Sequence, residues 1–525
     1  MDFRISELLI PAISEPVESG HLAFATCTVL VTLLSCVFLF IRSGTSVNLP
    51  PGPKGLPILG NLLQMGSHPH RTMTALHKVY GHILNIRLGC IPTVVVDSPQ
   101  LIAEITKEQD NVFSSRPHMT FTEILAYDAH DFAMAPYGPH WRHVRRICVH
   151  ELLTPKRLEN TRKERIEESR CMIMEVAERA NKGEVVDLRD VLAGVSMTVM
   201  CRMLLGRREF AATGKQPKDF KHIIHELFRL MGALNPRDFV PALGWLDLQG
   251  FERDMYKLRG EFDEVLDAII QEHRDLESGK LPGGKKNDFI SVLLDLPGED
   301  GAPHLDDKTI KAVTIDMMAG ATDTSAVTNE WAMAEIIRNP QIQRKLQEEI
   351  DSVVGLERNV EESDVSNFPY LMCVVKETFR LHPAGPFAIP RESMADTTLN
   401  GYLIPKGTRV LINIYSLGRS SETWVDPLIF QPERWANENL TAIHDSGFRI
   451  LPFGNGRRQC PGYNLGTTMV LFTLARLLHG FNWSFPPGVT SDSIDMEELY
   501  GCTTPLRTRL RAIATPRLAP HLYSQ

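Results

Sequence analysis

One short stretch constrains this chain more than any other: Phe453-Gly454-Asn455-Gly456-Arg457-Arg458-Gln459-Cys460-Pro461-Gly462, followed at once by an apolar run from Leu465 to Leu478 at helical spacing. Glycines at 454, 456 and 462 permit backbone conformations closed to other residues and let a flat ligand come close. Cys460 stands just before the expected helix, where backbone N–H groups and the helix dipole favour a thiolate over a thiol. Arg458, two residues earlier, is a permanent cation suited to holding a carboxylate. An isolated cysteine is ordinarily a small buried hydrophobe. The spacing of an aromatic, an arginine and three glycines around this one weighs against that reading.

The remaining 515 or so residues must carry that loop, and their make-up is ordinary for a globular protein, with 43% hydrophobic and 23% charged residues in a chain of 525. One large catalytic domain plus an anchor accounts for the length. A net charge of -8, with no basic tract interleaved with aromatics, excludes a nucleic-acid partner. The nine cysteines have neither paired nor metal-type spacing, which points to a reducing compartment and not a disulfide framework.

Leu22 to Ile41 is an uncharged run long enough as a helix to cross a ~30 Å hydrocarbon core. Asp2, Glu7, Glu15 and Glu18 precede it against Arg4, and Arg42 and Lys54 follow it, so the bulk of the chain is expected on the cytosolic side. The implied organisation is a short lumenal N-terminus (1–21), a single transmembrane anchor (22–41), a linker and proline-rich hinge (42–56) and a cytosolic catalytic domain (57–525). The hinge, Leu49-Pro50-Pro51-Gly52-Pro53-Lys54-Gly55, reads as a stiff spacer because proline fixes φ and refuses helix.

Alternating stretches at His82–Leu88 and Pro92–Asp97 predict strands of a small sheet, and the chain from Leu101 onward reads as mainly helical. Pro136-Tyr137-Gly138-Pro139 opens a helix on which Trp141 and Arg145 share one face while Arg142 and Arg146 share another. Asp306 and Asp307 can cap a long helix from about Lys308 to Arg338, ended by Asn339-Pro340. At its middle stands Gly320-Ala321-Thr322-Asp323-Thr324-Ser325. An acid beside a hydroxyl in an apolar helix is costly unless used or satisfied, and Thr324 can bond the Gly320 carbonyl, bending the helix and opening a groove. Pro369–Leu381 predicts another helix, with Glu377 and Arg380 three apart and able to pair, and Pro432-Glu433-Arg434-Trp435 adds a further arginine.

Taken together these strings resemble the cytochrome P-450 superfamily. The cysteine loop matches its Phe-x-x-Gly-x-Arg-x-Cys-x-Gly signature, Trp141 and Arg145 its Trp-x-x-x-Arg motif, Asp323-Thr324 its oxygen-activation motif, and Glu377, Arg380 and Arg434 its Glu-Arg-Arg cluster. The usual glycine three residues before the threonine is Ala321 here, with the glycine displaced to 320, which leaves the shape of the groove open. The resemblance implies a mainly α fold with small β-sheets and haem b held by Cys460 as metal ligand. No Cys-x-x-Cys-His occurs, so no thioether links are expected. By resemblance Trp141, Arg145, Arg391, Phe453, Arg458 and Gly462 complete the cofactor site, Asp323 and Thr324 deliver protons to O₂, and Glu377, Arg380 and Arg434 lock the cysteine loop structurally. The resemblance further implies two electrons from NADPH through a flavoprotein reductase, a small cytochrome being an optional further donor, and a place in the endoplasmic reticulum membrane.

Within the superfamily the chain resembles the plant microsomal branch, and most of all the pollen-wall (sporopollenin) in-chain fatty-acid hydroxylase family, on the strings Arg380-Leu381-His382-Pro383-Ala384-Gly385-Pro386-Phe387 and Gly138-Pro139-His140-Trp141 and the tail from Leu510 to Leu518. That implies hydroxylation of a medium-chain fatty acid such as lauric acid. Expected substrate contacts are Phe121, Ile124, Leu125, Phe132, Met317, Ala321, Phe387, Ile389, Cys502 and Thr503. No clear carboxylate clamp stands out, Arg116 being the one candidate. The alternatives are hydroxylation of a phenylpropanoid or flavonoid ring, reductase-independent hydroperoxide rearrangement or dehydration, and haem binding without turnover.

Overall fold

The longest helix, Asp307–Arg338, begins where the Asp306 carboxylate accepts a hydrogen bond from the Thr309 N–H at 2.7 Å and stops one residue before Pro340. Its thirty-two residues span about 48 Å at 1.5 Å per residue. From Ser325 to Ile337 every side chain is buried, so this half of the helix is enclosed by protein on all sides. Helices Leu188–Leu205, Pro340–Val354, Pro369–Leu381 and Tyr463–Gly480 pack around it. The computed structural model from which these elements are taken describes residues 48–524 apart from 211–219, 248, 283–285, 287, 299–303, 439–442 and 444. The expected anchor at 22–41 lies outside the described residues. Among those described, no helix is long and apolar enough to cross a membrane.

The sheets are small. Strands β1 (Ile83–Leu88) and β2 (Ile91–Val96) form an antiparallel hairpin. β3 (Val186–Asp187) lies far from them in the chain, and β4 (Arg391–Glu392), β5 (Thr397–Leu399), β6 (Tyr402–Ile404) and β7 (Arg409–Ile412) follow together. The main sheet has the order β1-β2-β7-β4, with β7 parallel to β2 and antiparallel to β4. β8 (Phe481–Ser484) and β9 (Arg511–Pro516) join β3 in a second sheet. The pleat sends alternate side chains of the main sheet to two different cores. Ile83, Val94, Val96, Val410 and Ile412 face one cluster, and Leu84, Ile86, Leu88 and Val95 face another with Met65, Met73 and Phe239.

The described part of the proline-rich segment is docked on the sheets. The Asn85 N–H donates to the Pro51 carbonyl at 2.8 Å, and the Leu403 N–H to the Asn48 carbonyl at 2.8 Å. Prolines keep the segment straight, and these bonds fix it to the sheet.

Candidate active site

The Cys460 loop takes its shape from local bonds. Gly454 and Gly456 adopt φ of +67° and +72°, conformations that favour glycine, and a Cβ on Gly456 would lie 2.3 Å from the Thr106 carbonyl oxygen. The Cys460 N–H donates to the Phe453 carbonyl at 2.8 Å, and the helix Tyr463–Gly480 begins immediately beyond. Phe453 meets Phe379 edge to face, 5.6 Å between ring centroids, which ties the loop to the helix Pro369–Leu381. On that helix Glu377 accepts two bonds from Arg380 at 2.8 Å and one each from Arg434 at 2.9 Å, Trp435 Nε1 at 2.9 Å and the Gln431 N–H at 2.8 Å.

Cys460 opens onto a cavity of about 550 Å³. The same wall includes Gly320, Ala321, Thr324 and Ser325 of the long helix. The Thr324 hydroxyl donates to the Gly320 carbonyl at 2.6 Å, yet the helix runs through without interruption. Gly320 is itself exposed to this space, and a Cβ there would meet no atom within 4 Å. The room left by a missing side chain therefore lies at 320, where the glycine stands, and the displaced glycine needs no break in the helix.

Four guanidiniums, those of Arg116, Arg145, Arg391 and Arg458, share the wall with Trp141. Arg458 donates to the carbonyls of Ser114 at 2.7 Å and Ala135 at 2.6 Å, and lies 4.3 Å from the centroid of Trp141. Arg145 donates to the Gln459 carbonyl at 2.5 Å. Arg116 spends its N–H groups on the carbonyls of Ala133, Ile389 and Pro390. Arg391 reaches Asp110 at 3.1 Å and the Asn455 carbonyl at 2.8 Å. Burial, with the other arginines second, pushes Arg458 down to about 9 and Arg116 well below its ordinary value. Asp110 and Asp131 offset only part of this concentration of positive charge.

Each expected residue can now be placed. Phe121, Leu125, Phe132, Met317, Ala321, Phe387, Ile389, Cys502 and Thr503 line the cavity, as do Phe453 and Gly462. Ile124 does not. It is buried in the main hydrophobic core, because helical spacing cannot separate a side chain facing a cavity from one facing its neighbours. Asp323 is also absent from the cavity wall: its carboxylate accepts a hydrogen bond from the Thr503 hydroxyl, and burial pushes its pKa up. Arg116, the candidate substrate clamp, sits instead among the arginines around Cys460. Arg142 and Arg146 are exposed. At Cys460 burial outweighs the Gly462 N–H and Arg145 and pushes the thiol up, so the helix start alone does not make it a thiolate. The sequence reading passed over Asp131 and Asp316, two acids in the cavity wall separated by 185 positions along the chain with no local pattern to join them.

These features suit haem: a cysteine sulfur beside the start of a helix, a largely apolar wall, and a group of arginines whose excess charge two carboxylates would neutralise. The family model for cytochrome P450 matches residues 50–510. Cytochrome P450 703A2 of Arabidopsis thaliana is 49% identical over 91% of this chain and 94% of its own length, and that of Oryza sativa subsp. japonica is 45% identical over 94% and 98%. A flavonoid 3'-monooxygenase of Crocosmia x crocosmiiflora is 40% identical over 96% of this chain and 100% of its own. A zebra fish cytochrome P450 solved with abiraterone superposes with a TM-score of 0.70 at 26% identity, covering 86% of this chain and 100% of that one. A mainly helical fold, a cysteine and a long helix lining one cavity, and a family match across most of the length all lead to one assignment: the chain belongs to the cytochrome P450 family of haem-thiolate monooxygenases.

Proposed function

We propose that the enzyme hydroxylates a medium-chain fatty acid, such as lauric acid, at a carbon within the chain. The observation that carries this reading is the cavity itself, apolar along most of its wall from Leu465 and Met469 beside the cysteine loop to Met65, Met73 and Phe239 at the sheet. An unbranched acyl chain gains by leaving water for such a wall, at roughly 25 cal/mol per Å² of apolar surface.

Haem held through the Cys460 thiolate supplies oxygen activation, using electrons from NADPH passed on by a flavoprotein reductase. Arg145, Arg391, Arg458 and Trp141 would hold its propionates, while Arg116, engaged with backbone carbonyls, adds positive charge beside them. Phe121, Leu125, Met317 and Phe387 exclude water and guide the substrate. Thr324 presents its hydroxyl to the cavity, while Asp323, kept ready to hold a proton by burial, stands behind Thr503 as the acid that resupplies it. Residues 57–525 form the catalytic domain, on the cytosolic face of the endoplasmic reticulum membrane, with 22–41 as single-pass anchor and 42–56 as linker. The exposed Arg142 and Arg146 suit an acidic surface on the reductase or on a small cytochrome donor.

The 40% identity to a flavonoid 3'-monooxygenase supports ring hydroxylation as a second reading. Microsomes containing the full chain and a plant reductase, given NADPH and either lauric acid or a flavonoid, separate the two by mass spectrometry. In-chain hydroxylaurate is the expected product. A hydroxylated flavonoid without any lauric product would replace the first reading with the second.

A further inference from the structure

Arg409 has no role in the site as described so far. It opens β7, is only 4% exposed, and lines the cavity. Its Nε is a buried donor without an acceptor, and among the described residues the guanidinium forms no hydrogen bond or ion pair at all. The ring of Phe239 lies 5.2 Å away, and the carboxylates of Asp238 and Glu392 act on it only through space. Asp238 is already engaged, accepting bonds from the Thr120 N–H and hydroxyl at 2.7 and 2.6 Å. Leaving buried donors of a cation unmatched is costly, so a position that keeps one calls for an acceptor that arrives later.

The pleat separates this arginine from those around Cys460. In the β4–β7 register Arg391 pairs with Val410 and Glu392 with Arg409, so Arg391 and Arg409 leave opposite faces of the sheet. Arg391 turns to Asp110 and Asn455, beside the cysteine loop. Arg409 shares its face with Leu411, which packs against the cluster of Met65, Met73, Ile86, Leu88 and Phe239. Burial depresses its pKa, with Asp238 and Glu392 countering. A carboxylate in contact would counter that burial further.

We propose that Arg409 receives the carboxylate of the substrate, in the arm of the cavity walled by the sheet, and so selects acyl acids over neutral acyl chains. The inference rests on the fatty-acid reading above. A planar fork of donors matches a carboxylate in two-pronged contact, and apolar walls around it strengthen the pairing. With the head group held on β7, it is carbons of the chain that remain to be offered at Cys460.

The test is a spectral binding titration of the haem-loaded full chain with lauric acid and with methyl laurate, in the wild type, Arg409→Gln and Arg409→Lys, alongside the ratio of kcat/KM for acid and ester. The wild type should prefer the acid. Arg409→Gln should weaken acid binding about 10- to 100-fold and erase the preference, and Arg409→Lys should keep most of it. A carbon monoxide difference spectrum reports that each variant is folded. An Arg409→Gln enzyme with that spectrum and an unchanged acid-to-ester ratio overturns the role of Arg409 and leaves the fatty-acid reading intact. Should Arg409→Gln not fold, a wild type indifferent between acid and ester, or an Arg409→Lys variant that loses the preference, overturns it equally. A wild type that binds neither ligand overturns the fatty-acid reading and this inference with it.

Discussion

At the scale of single residues, Glu377 shows how much of a site rests on one side chain. It is fully buried and accepts five hydrogen bonds, two from Arg380 and one each from Arg434, Trp435 and the Gln431 backbone. Removing one member of such a cluster leaves charges buried without partners. Glu377→Ala should therefore cost about 3–5 kcal/mol in urea unfolding, and a loss below about 1 kcal/mol would show that the cluster relaxes around the gap. The Glu377–Arg380 pair was legible in the sequence because three-residue spacing puts both on one helical face. The bonds from Trp435 and Gln431 were not, since they join segments more than fifty positions apart. Arg409 left no sequence signal for a related reason: its meaning depends on which face of a sheet it leaves, and the register of β7 is set by a partner strand from a distant part of the chain. Ile124 shows the converse, an apolar residue near the cavity that proved to be packing.

At the scale of elements, sequence patterns located the helices well where caps and prolines mark their ends. The long helix was expected from about Lys308 to Arg338 and occupies Asp307–Arg338, and Pro369–Leu381 has the bounds that its proline and periodicity indicated. The hinge was not legible as docked, because proline content says nothing about which strand will receive it. Its closest approach is at Gly52, where a Cβ would sit 1.9 Å from the Asn85 carbonyl oxygen. Gly52→Ala must push the hinge off β1, and overpacking of this kind costs on the order of 1–3 kcal/mol. Thermal unfolding measures it: a Tm well below the wild type is expected, with the sheet edge exposed early to hydrogen exchange at Asn85. An unchanged Tm would mean that the hinge lifts away without cost.

Across the whole molecule, the paired acids of the cavity wall give stability a definite dependence on pH. Burial raises Asp131 to about 6 and Asp316, which faces Asp131, well above the ordinary carboxylate range. Because the folded values lie above the unfolded ones, the native state holds these protons more tightly than the unfolded chain does. Their contribution is complete below the unfolded carboxylate pKa, about 4, and is lost as pH rises through the folded values. Asp316 accepts the N–H groups of Phe132 and Ala133 at 3.0 Å, bonds an asparagine oxygen can also accept. Asp316→Asn should therefore gain Tm over the wild type near pH 8 and lose most of that gain near pH 5. A gain of equal size at both would clear the acid of any part in the pH response. A further consequence attaches to the wall at 500–504. Thr503 binds Asp323 and the Trp331 indole donates to the Thr504 carbonyl, links that span 180 and 173 residues of chain. Contacts so distant in sequence are rewarded only after the long intervening loop has been ordered. The Cys460 loop depends on links longer still, from Arg457 to Asp110 and from Arg458 to Ser114, so neither side of the cavity can close until nearly the whole chain has been made.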